Sequence, residues 1–303
     1  MRVLAHIHTL NDEGVIEQAL DALRRQTRPP DAVVIVDNAS TDGTLARTFP
    51  ERVAVIRNPT NLGTSGAVRA GFAYALEHAF DWIWVFDADS VPEPGVLENL
   101  LGFFGRLPAA AQEQVCFLAC RAVGASGEYK GQPILFTPSG IKILPLAADA
   151  GYSRCDCILW SGSLYRMAAV AKIGLPSADY VLDVAELEYG YRARQLGFTS
   201  YTVHSSVIHH DVGRDPGTTR TRRFELPLYE VPPIRCYYTC RNLFYFALYD
   251  FPEGRFGLLR SMGWRMLLLP LSFLLEPRKR GKQMRACWRG IWHGATGNIL
   301  ARY

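Results

Sequence analysis

From residue 3 to residue 104 the chain alternates short apolar runs with amphipathic stretches, and this alternation limits the folds open to it more than any other feature. Val3–His8 reads as a strand, Val15–Gln26 as a helix, and Ala32–Val36 as a strand that stops at Asp37. Val53–Arg57, Gly66–His78, Trp82–Phe86 and Val96–Phe104 continue the series as strand, helix, strand and helix. Strands separated by helices pair in parallel, and helices then cover both faces of the sheet. Such sheets take ligands at the carboxyl ends of their strands, near a reversal of strand order. Three polar clusters follow strands in this way: HTLN (8–11), Asp37 and Asp87.

Of the 303 residues 49% are hydrophobic, which is ample for the core of one large domain or two. A net charge of +4 is too mild to argue for nucleic acid, although EPRKRGKQMRACWRG (276–290) concentrates positive charge. The seven cysteines lack paired CxxC elements, so free or buried thiols are expected rather than a zinc site or a disulfide framework. The opening MRVLAHIHTLNDEG has no apolar h-region and does not read as a signal peptide.

In VFDADSVPEPG (85–95) an apolar run ends on two aspartates one residue apart. One Asp there would be ordinary turn chemistry. Two, around a small residue, point to a hard divalent cation that relieves their repulsion. VVIVDNASTDGT (33–44) sets Asp37 directly behind a buried strand, where a carboxylate can accept the imide N–H of a uracil or thymine ring. NPTNLGTSGA (58–67) places small residues ahead of a helix, where backbone N–H groups can approach a phosphate or sugar; close packing explains them nearly as well.

Together HTLN, VDNASTDGT, NPTNLGTSGA and FDADS resemble the nucleotide-sugar domain of inverting family-2 glycosyltransferases, continuously over about the first 105 residues and again within 159–210. The fold this implies is GT-A: α/β, with a Rossmann-like, mostly parallel sheet flanked by helices. The resemblance also implies that Asp37 holds a pyrimidine base and that Thr9 and Asn11 line its pocket. Leu10, Glu13, Asn38, Asn61, Gly63, Thr64 and Ala88 would complete the nucleotide-sugar site. Asp87 and Asp89 would form the DxD motif, carrying Mn²⁺ or Mg²⁺ against the diphosphate.

An inverting enzyme needs a base. In YVLDVAELEYGYRAR (180–194) the family's acidic pair, usually ending in Asp, is replaced by Ala185-Glu186. Glu186 falls at the position of the base, and Asp183 is the alternative. Asp183 and Glu186 also have the spacing of a capping box, which would leave both with a structural task. SVIHHDVG (206–213) ends a strand on two histidines, whose side chains must point to opposite faces. The family resemblance favours His210 as the metal ligand. WSGSLYRM (160–167) and YYTCRN (237–242) resemble acceptor-side elements of the rhamnosyl- and galactofuranosyl-transferring branch, which implies acceptor contacts for Trp160, Ser161 and Gly162. The arginines of GRDPGTTRTRR (213–223) read either as a diphosphate clamp or as solvated charge.

The resemblance implies a nucleotide-sugar half (1–122) and an acceptor and catalytic half (123–225), followed by a helical, basic and apolar C-terminal region (226–303). Residues 164–173 read as a helix. MLLLPLSFLL (266–275) is too short to span a bilayer, which takes ~20 apolar residues, and with Trp264 and the basic tract it suits a membrane interface. The expected protein is a metal-dependent transferase moving rhamnose or galactofuranose from a UDP- or dTDP-sugar to a glycan or lipid-linked acceptor. It would be cytoplasmic and peripheral on the inner face of the cell membrane. A second copy of the chain is a partner the sequence allows. Two rivals are a sugar-nucleotide-binding protein with impaired catalysis and, on a related sheet, a sugar-phosphate nucleotidyltransferase. The nucleotidyltransferase would want Gly, Arg and Lys after the first strand, and HTLNDEG does not supply that loop.

Overall fold

The computed structural model describes residues 1–46, 49, 51–124, 127–146, 151–210, 232–260 and 277–303. The arginines of 213–223 and the run 266–275 lie outside the described residues. The chain forms two compact units: Met1–Leu135 with Ile143–Ala178 and Tyr189–Val212, and Phe136–Lys142 with Asp179–Glu188 and Gly213–Tyr303.

The first unit holds the main sheet. Its first half runs β1 (Val3–Thr9), α1 (Ile16–Arg24), β2 (Ala32–Asp37), β3 (Val53–Arg57), α2 (Gly63–Glu77) and β4 (Trp82–Asp87). Every residue of β1 is buried, as a parallel strand covered on both faces requires. On one side β1 pairs in parallel with β2, placing Thr9 opposite Asp37; on the other it pairs in parallel with β4, placing His8 opposite Asp87. The chain builds outward through β2 and β3, then crosses back to β4 on the far flank of β1. Strand order therefore reverses between β1 and β4, the position at which sheets of this kind take ligands, and His8 and Asp87 lie there. On one face α2 lies close over β1. A Cβ at Gly71 would fall 2.3 Å from the His6 ring, so only glycine allows that approach.

Beyond β4 come β5 (Val91–Pro92), α3 (Val96–Arg106), α4 (Ala109–Glu113), β6 (Val115–Val123) and β7 (Tyr129–Lys130). β8 (Ile134–Thr137) and β9 (Gly140–Ile143) make a separate two-stranded sheet. β10 (Tyr152–Cys155), β11 (Leu164–Arg166), α5 (Met167–Ile173), α6 (Ala185–Gln195) and β12 (Thr199–His209) follow. The long sheet has the order β10-β12-β6-β11-β4-β1-β2-β3 and is mostly parallel, as expected.

The expected helix at 164–173 is corrected at its start. Leu164–Arg166 is β11, antiparallel to both neighbours, with Leu164 opposite Trp84 on one side and Leu118 on the other. Without it β4 and β6 would present unpaired backbone groups inside the sheet, a cost that helical periodicity in LYRMAAVAKI does not reveal.

The second unit is built on α7 (Pro233–Tyr245), a π-helical turn (Phe246–Asp250), α8 (Arg255–Leu258) and α9 (Pro277–Ala295). Gly290 and Gly294 let α9 press onto α7: a Cβ at either would fall 2.3 Å from the carbonyl oxygen of Tyr237 or Arg241. All seven cysteines are buried and free. Among the described residues no helix is long and apolar enough to cross a membrane.

Candidate functional site: an acidic pair with an imidazole

Asp87 closes β4, Ala88 is buried, and Asp89 stands half exposed after a turn in which the Ser90 N–H donates to the Asp87 carbonyl. The chain then enters β5, whose two residues pair with the end of β12: Val91 with His209 and Pro92 with Ile208. That short pairing delivers His210 to the acidic pair across more than a hundred residues of sequence. Its Nε2 lies 3.2 Å from Asp87 Oδ2 and its Nδ1 3.1 Å from Asp89 Oδ1. One ligand atom from each of Asp87, Asp89 and His210 falls within 4.8 Å of the others. Alternation along β12 sends His209 the other way, to a surface contact with Glu93 at 3.1 Å.

Behind these groups runs a buried hydroxyl chain. Ser90 Oγ bonds His210 Nδ1 at 2.8 Å and Ser161 Oγ at 2.7 Å, and Ser161 Oγ accepts the Asp87 N–H at 3.2 Å. Gly162, at φ 81°, donates its N–H to the Val85 carbonyl and accepts from Trp84 Nε1 at 3.2 Å. Trp160 is buried at 2% exposure against Phe72, Tyr165 and Tyr189. Ser161 thus braces the acidic pair from beneath, and the indole of Trp160 is turned inward.

His8 joins the cluster from β1, with Nε2 2.5 Å from Asp87 Oδ1. Burial alone would raise the Asp87 carboxyl. The charge and hydrogen bond of His8, then the charges of His210 and His6, outweigh it and hold Asp87 at about 2. Burial works against a charged His8, but Asp87 overcomes this and lifts His8 above its ordinary value. His6, stacked on His8 at 5.6 Å, has no such partner; burial first and the His8 charge second press it down to about 3. His8 and Ser90 fall within HTLN and FDADS, but the sequence gives neither a role at the site. Adjacency of β1 and β4 would have exposed His8, because it shares a rung with Asp87.

The loops after β1 and β2 are laced together. Thr9 Oγ1 and the Leu10 N–H both donate to Asp12 Oδ2, at 2.8 and 2.9 Å. Asn11, left-handed at φ 59°, donates its N–H to Ser40 Oγ and accepts the Thr41 N–H, each at 2.8 Å. Glu13 accepts the Gly43 N–H at 3.0 Å. Asp37 is fully buried; it accepts the Ser40 N–H and sits 3.5 Å from Nε of the exposed Arg57. Asn38 donates to the Gly63 carbonyl at 3.1 Å, and Asn61 accepts the Gly63 N–H at 2.8 Å, fixing the start of α2 beside Thr64. All these residues gather at the carboxyl rim of β1 to β4.

Asp183 and Glu186 belong to the second unit. Glu186 lies in the first turn of α6. Val181, Asp183 and Val184 are all left-handed, at φ 52°, 55° and 65°, an unusual run for two β-branched residues and an acid. Helix α7 holds this loop. Arg235 donates to both Asp183 oxygens at 3.2 and 2.9 Å, and Thr239 Oγ1 donates to Oδ2. Asn242, fully buried, offers its amide to the carbonyls of Tyr180, Leu182 and Asp183, and Arg241 donates to that of Asp179. Asp183 therefore spends its carboxylate on α7 rather than on a cap.

A twisted, mostly parallel sheet with two carboxylates and an imidazole at its order reversal defines a class: the GT-A glycosyltransferases. Residues 5–124 match the family described as Glycosyl transferase family 2. The chain is 27% identical over 225 residues to the galactofuranosyltransferase GlfT1 of Mycobacterium tuberculosis, covering 70% of this chain and 71% of that one. It is 24% identical over 236 residues to the N-acetylglucosaminyl-diphospho-decaprenol L-rhamnosyltransferase of the same organism, covering 67% and 75%. Among solved structures it resembles the Pyrobaculum calidifontis mannosyltransferase PcManGT in complex with GDP-Man and Mn²⁺ (TM-score 0.55, 17% identity, 97% of this chain and 75% of that one). GalNAc-T7 with UDP, GalNAc and Mn²⁺ matches at TM-score 0.59 and 12% identity, over 86% of this chain and 53% of that one. Residues 5–124 thus resemble glycosyltransferase family 2, and the chain's relatives include a galactofuranosyltransferase and a rhamnosyltransferase.

Proposed function

We propose that the protein moves rhamnose or galactofuranose from a UDP- or dTDP-sugar, with inversion, to a glycan or lipid-linked acceptor at a membrane surface, in cell-surface polysaccharide synthesis. The observation that carries this reading is the meeting of Asp87, Asp89 and His210 at the reversal of strand order. Two carboxylates and one imidazole suit Mn²⁺ or Mg²⁺, and the nitrogen ligand inclines the set toward Mn²⁺. Such an ion would supply positive charge for a diphosphate leaving group.

The chain's own residues divide the remaining work. Asp87, Asp89 and His210 would hold the ion, with His8, Ser90 and Ser161 fixing their orientation. Asp37 accepts the imide N–H of the base once the exposed Arg57 side chain swings aside, and Thr9, Asn11 and the α2 start shape the pocket. Trp160, Ser161 and Gly162 form a wall beneath the acceptor side. Glu186 takes the proton of the acceptor hydroxyl, whose oxygen attacks from the face opposite the diphosphate. Asp183, bound by Arg235 and Thr239, is the alternative base.

Donor turnover tests the reading. With UDP-galactofuranose, dTDP-rhamnose and GDP-mannose, each with Mn²⁺ or with chelator, nucleotide release is expected from a pyrimidine donor and only with metal. Preference for the GDP donor, or full turnover in chelator, would overturn it. Tight metal-dependent binding with no turnover on any acceptor would favour a binding protein instead.

A further inference from the structure

Helix α9 has two sharply different sides. Ala286, Cys287, Gly290 and Gly294 are buried, and Gly290 and Gly294 are where the backbone of α7 comes closest. Lys282, Arg285, Trp288, Arg289 and Trp292 are exposed, Trp288 at 52% and Trp292 at 68%. At 3.6 residues per turn these five fall within an arc of about 120°, centred roughly opposite the buried one. The helix carries no acidic residue from 277 to 295. The orientation is fixed from behind, because turning the stripe inward would drive side chains into the Tyr237 and Arg241 carbonyls.

Two exposed indoles in a field of cations with no acid among them suit one environment best. Indole is apolar in body but carries an N–H, and it settles at the headgroup level of a bilayer. Lysine and arginine on the same stripe find anionic headgroups there. A protein partner that covered the indoles would have to neutralise the cations group by group; a lipid surface supplies diffuse negative charge and an apolar layer together. We infer that the stripe Lys282, Arg285, Trp288, Arg289 and Trp292 docks the enzyme flat on an anionic lipid surface. This rests on the membrane part of the proposed function and deepens it by naming a face of α9 as a contact.

The test uses the full chain and vesicles of phosphatidylcholine alone or with phosphatidylglycerol. Cosedimentation is expected on the anionic vesicles, with a blue shift of tryptophan emission, and weakening as salt rises. Trp288→Ser/Trp292→Ser should weaken binding by about tenfold or more, through lost apolar contact. Lys282→Gln/Arg285→Gln should weaken it by about fivefold for each cation removed, and flatten the salt dependence. Donor turnover in vesicle-free solution should stay at the wild-type level in both variants, so failure of docking and failure of the transferase reading register separately. Should the serine variant misfold by circular dichroism, the glutamine variant decides alone. Equal binding to neutral vesicles, no binding to either kind, or unchanged binding by the folded variants would overturn the inference. So would a wild-type dimer in ultracentrifugation that the serine variant dissolves, because the indoles would then cover a second copy.

Discussion

Asp87 and Asp89 differ in what the protein has already done for them. Asp87 is clasped by His8 and His210 and held ionised near a pKa of about 2, whereas Asp89 is half exposed and pairs with His210. Asp89 thus has the freer lone pairs for a metal. Asp89→Ala is expected to abolish transfer and to remove the Mn²⁺ dependence of nucleotide binding, measured by titration with UDP in metal and in chelator; residual Mn²⁺-dependent binding would point to Asp87 and His210 as sufficient ligands. Asp37 makes a separate prediction. If it accepts the imide N–H, Asp37→Ala should weaken UDP or dTDP binding by about 1–3 kcal/mol, the range for hydrogen bonds to a charged group. A Kd unchanged within error would remove Asp37 from the base pocket. The sequence made the paired aspartates legible because spacing of two along one strand end is local information. His8 and Ser90 escaped because their part depends on which strand lies next to which, and on a two-residue strand too short to leave a pattern.

At the scale of elements, the loop 179–183 and helix α7 form a single device. A buried amide that serves three carbonyls, and a buried guanidinium beside it, keep three residues left-handed ahead of α6. Such a conformation persists only where its surroundings over-determine it. Asn242→Ala should release the loop and displace Glu186, lowering kcat by roughly 10²-fold, the scale on which a 1 Å misplacement acts. The Kd for donor nucleotide should stay near that of the wild type, because the rim of β1 to β4 is untouched. Equal losses in kcat and in nucleotide affinity would mean that the substitution acts through general unfolding. Elements also show where the sequence runs out. The first four strands and their helices were readable because each buries a near-continuous apolar run. β11 was not, because Leu164–Arg166 is a strand only by virtue of the slot between β4 and β6 that it fills. YYTCRN shows in the sequence only a likeness to related transferases, because its work as a clamp depends on carbonyls some sixty residues away.

Stability belongs to the whole molecule, and its acid limb has an identifiable source. His6 lies under α2 at the centre of the sheet, so close to Gly71 that the pair leaves no room for a hydration shell. Its folded pKa is about 3 against the ordinary 6.5, so between these values the unfolded chain binds a proton that the folded protein refuses. The His6 contribution must then lower stability as pH drops below about 6.5, and that loss levels off near pH 3, where the folded state also accepts the proton. The Asp87–His8 pair does not offset this, since its carboxylate stays ionised and its imidazole charged through most of the same window. By pH 4.5 the cost should reach roughly 2–3 kcal/mol, at about 1.4 kcal/mol for each pKa unit crossed. His6→Leu removes the titrating group while keeping the site apolar and of similar bulk. Urea unfolding followed by circular dichroism at steps from pH 7 to pH 4.5 should show a steeper decline for the wild type than for the variant. Parallel curves would place the acid sensitivity elsewhere and return His6 to the role of an inert filler beneath α2.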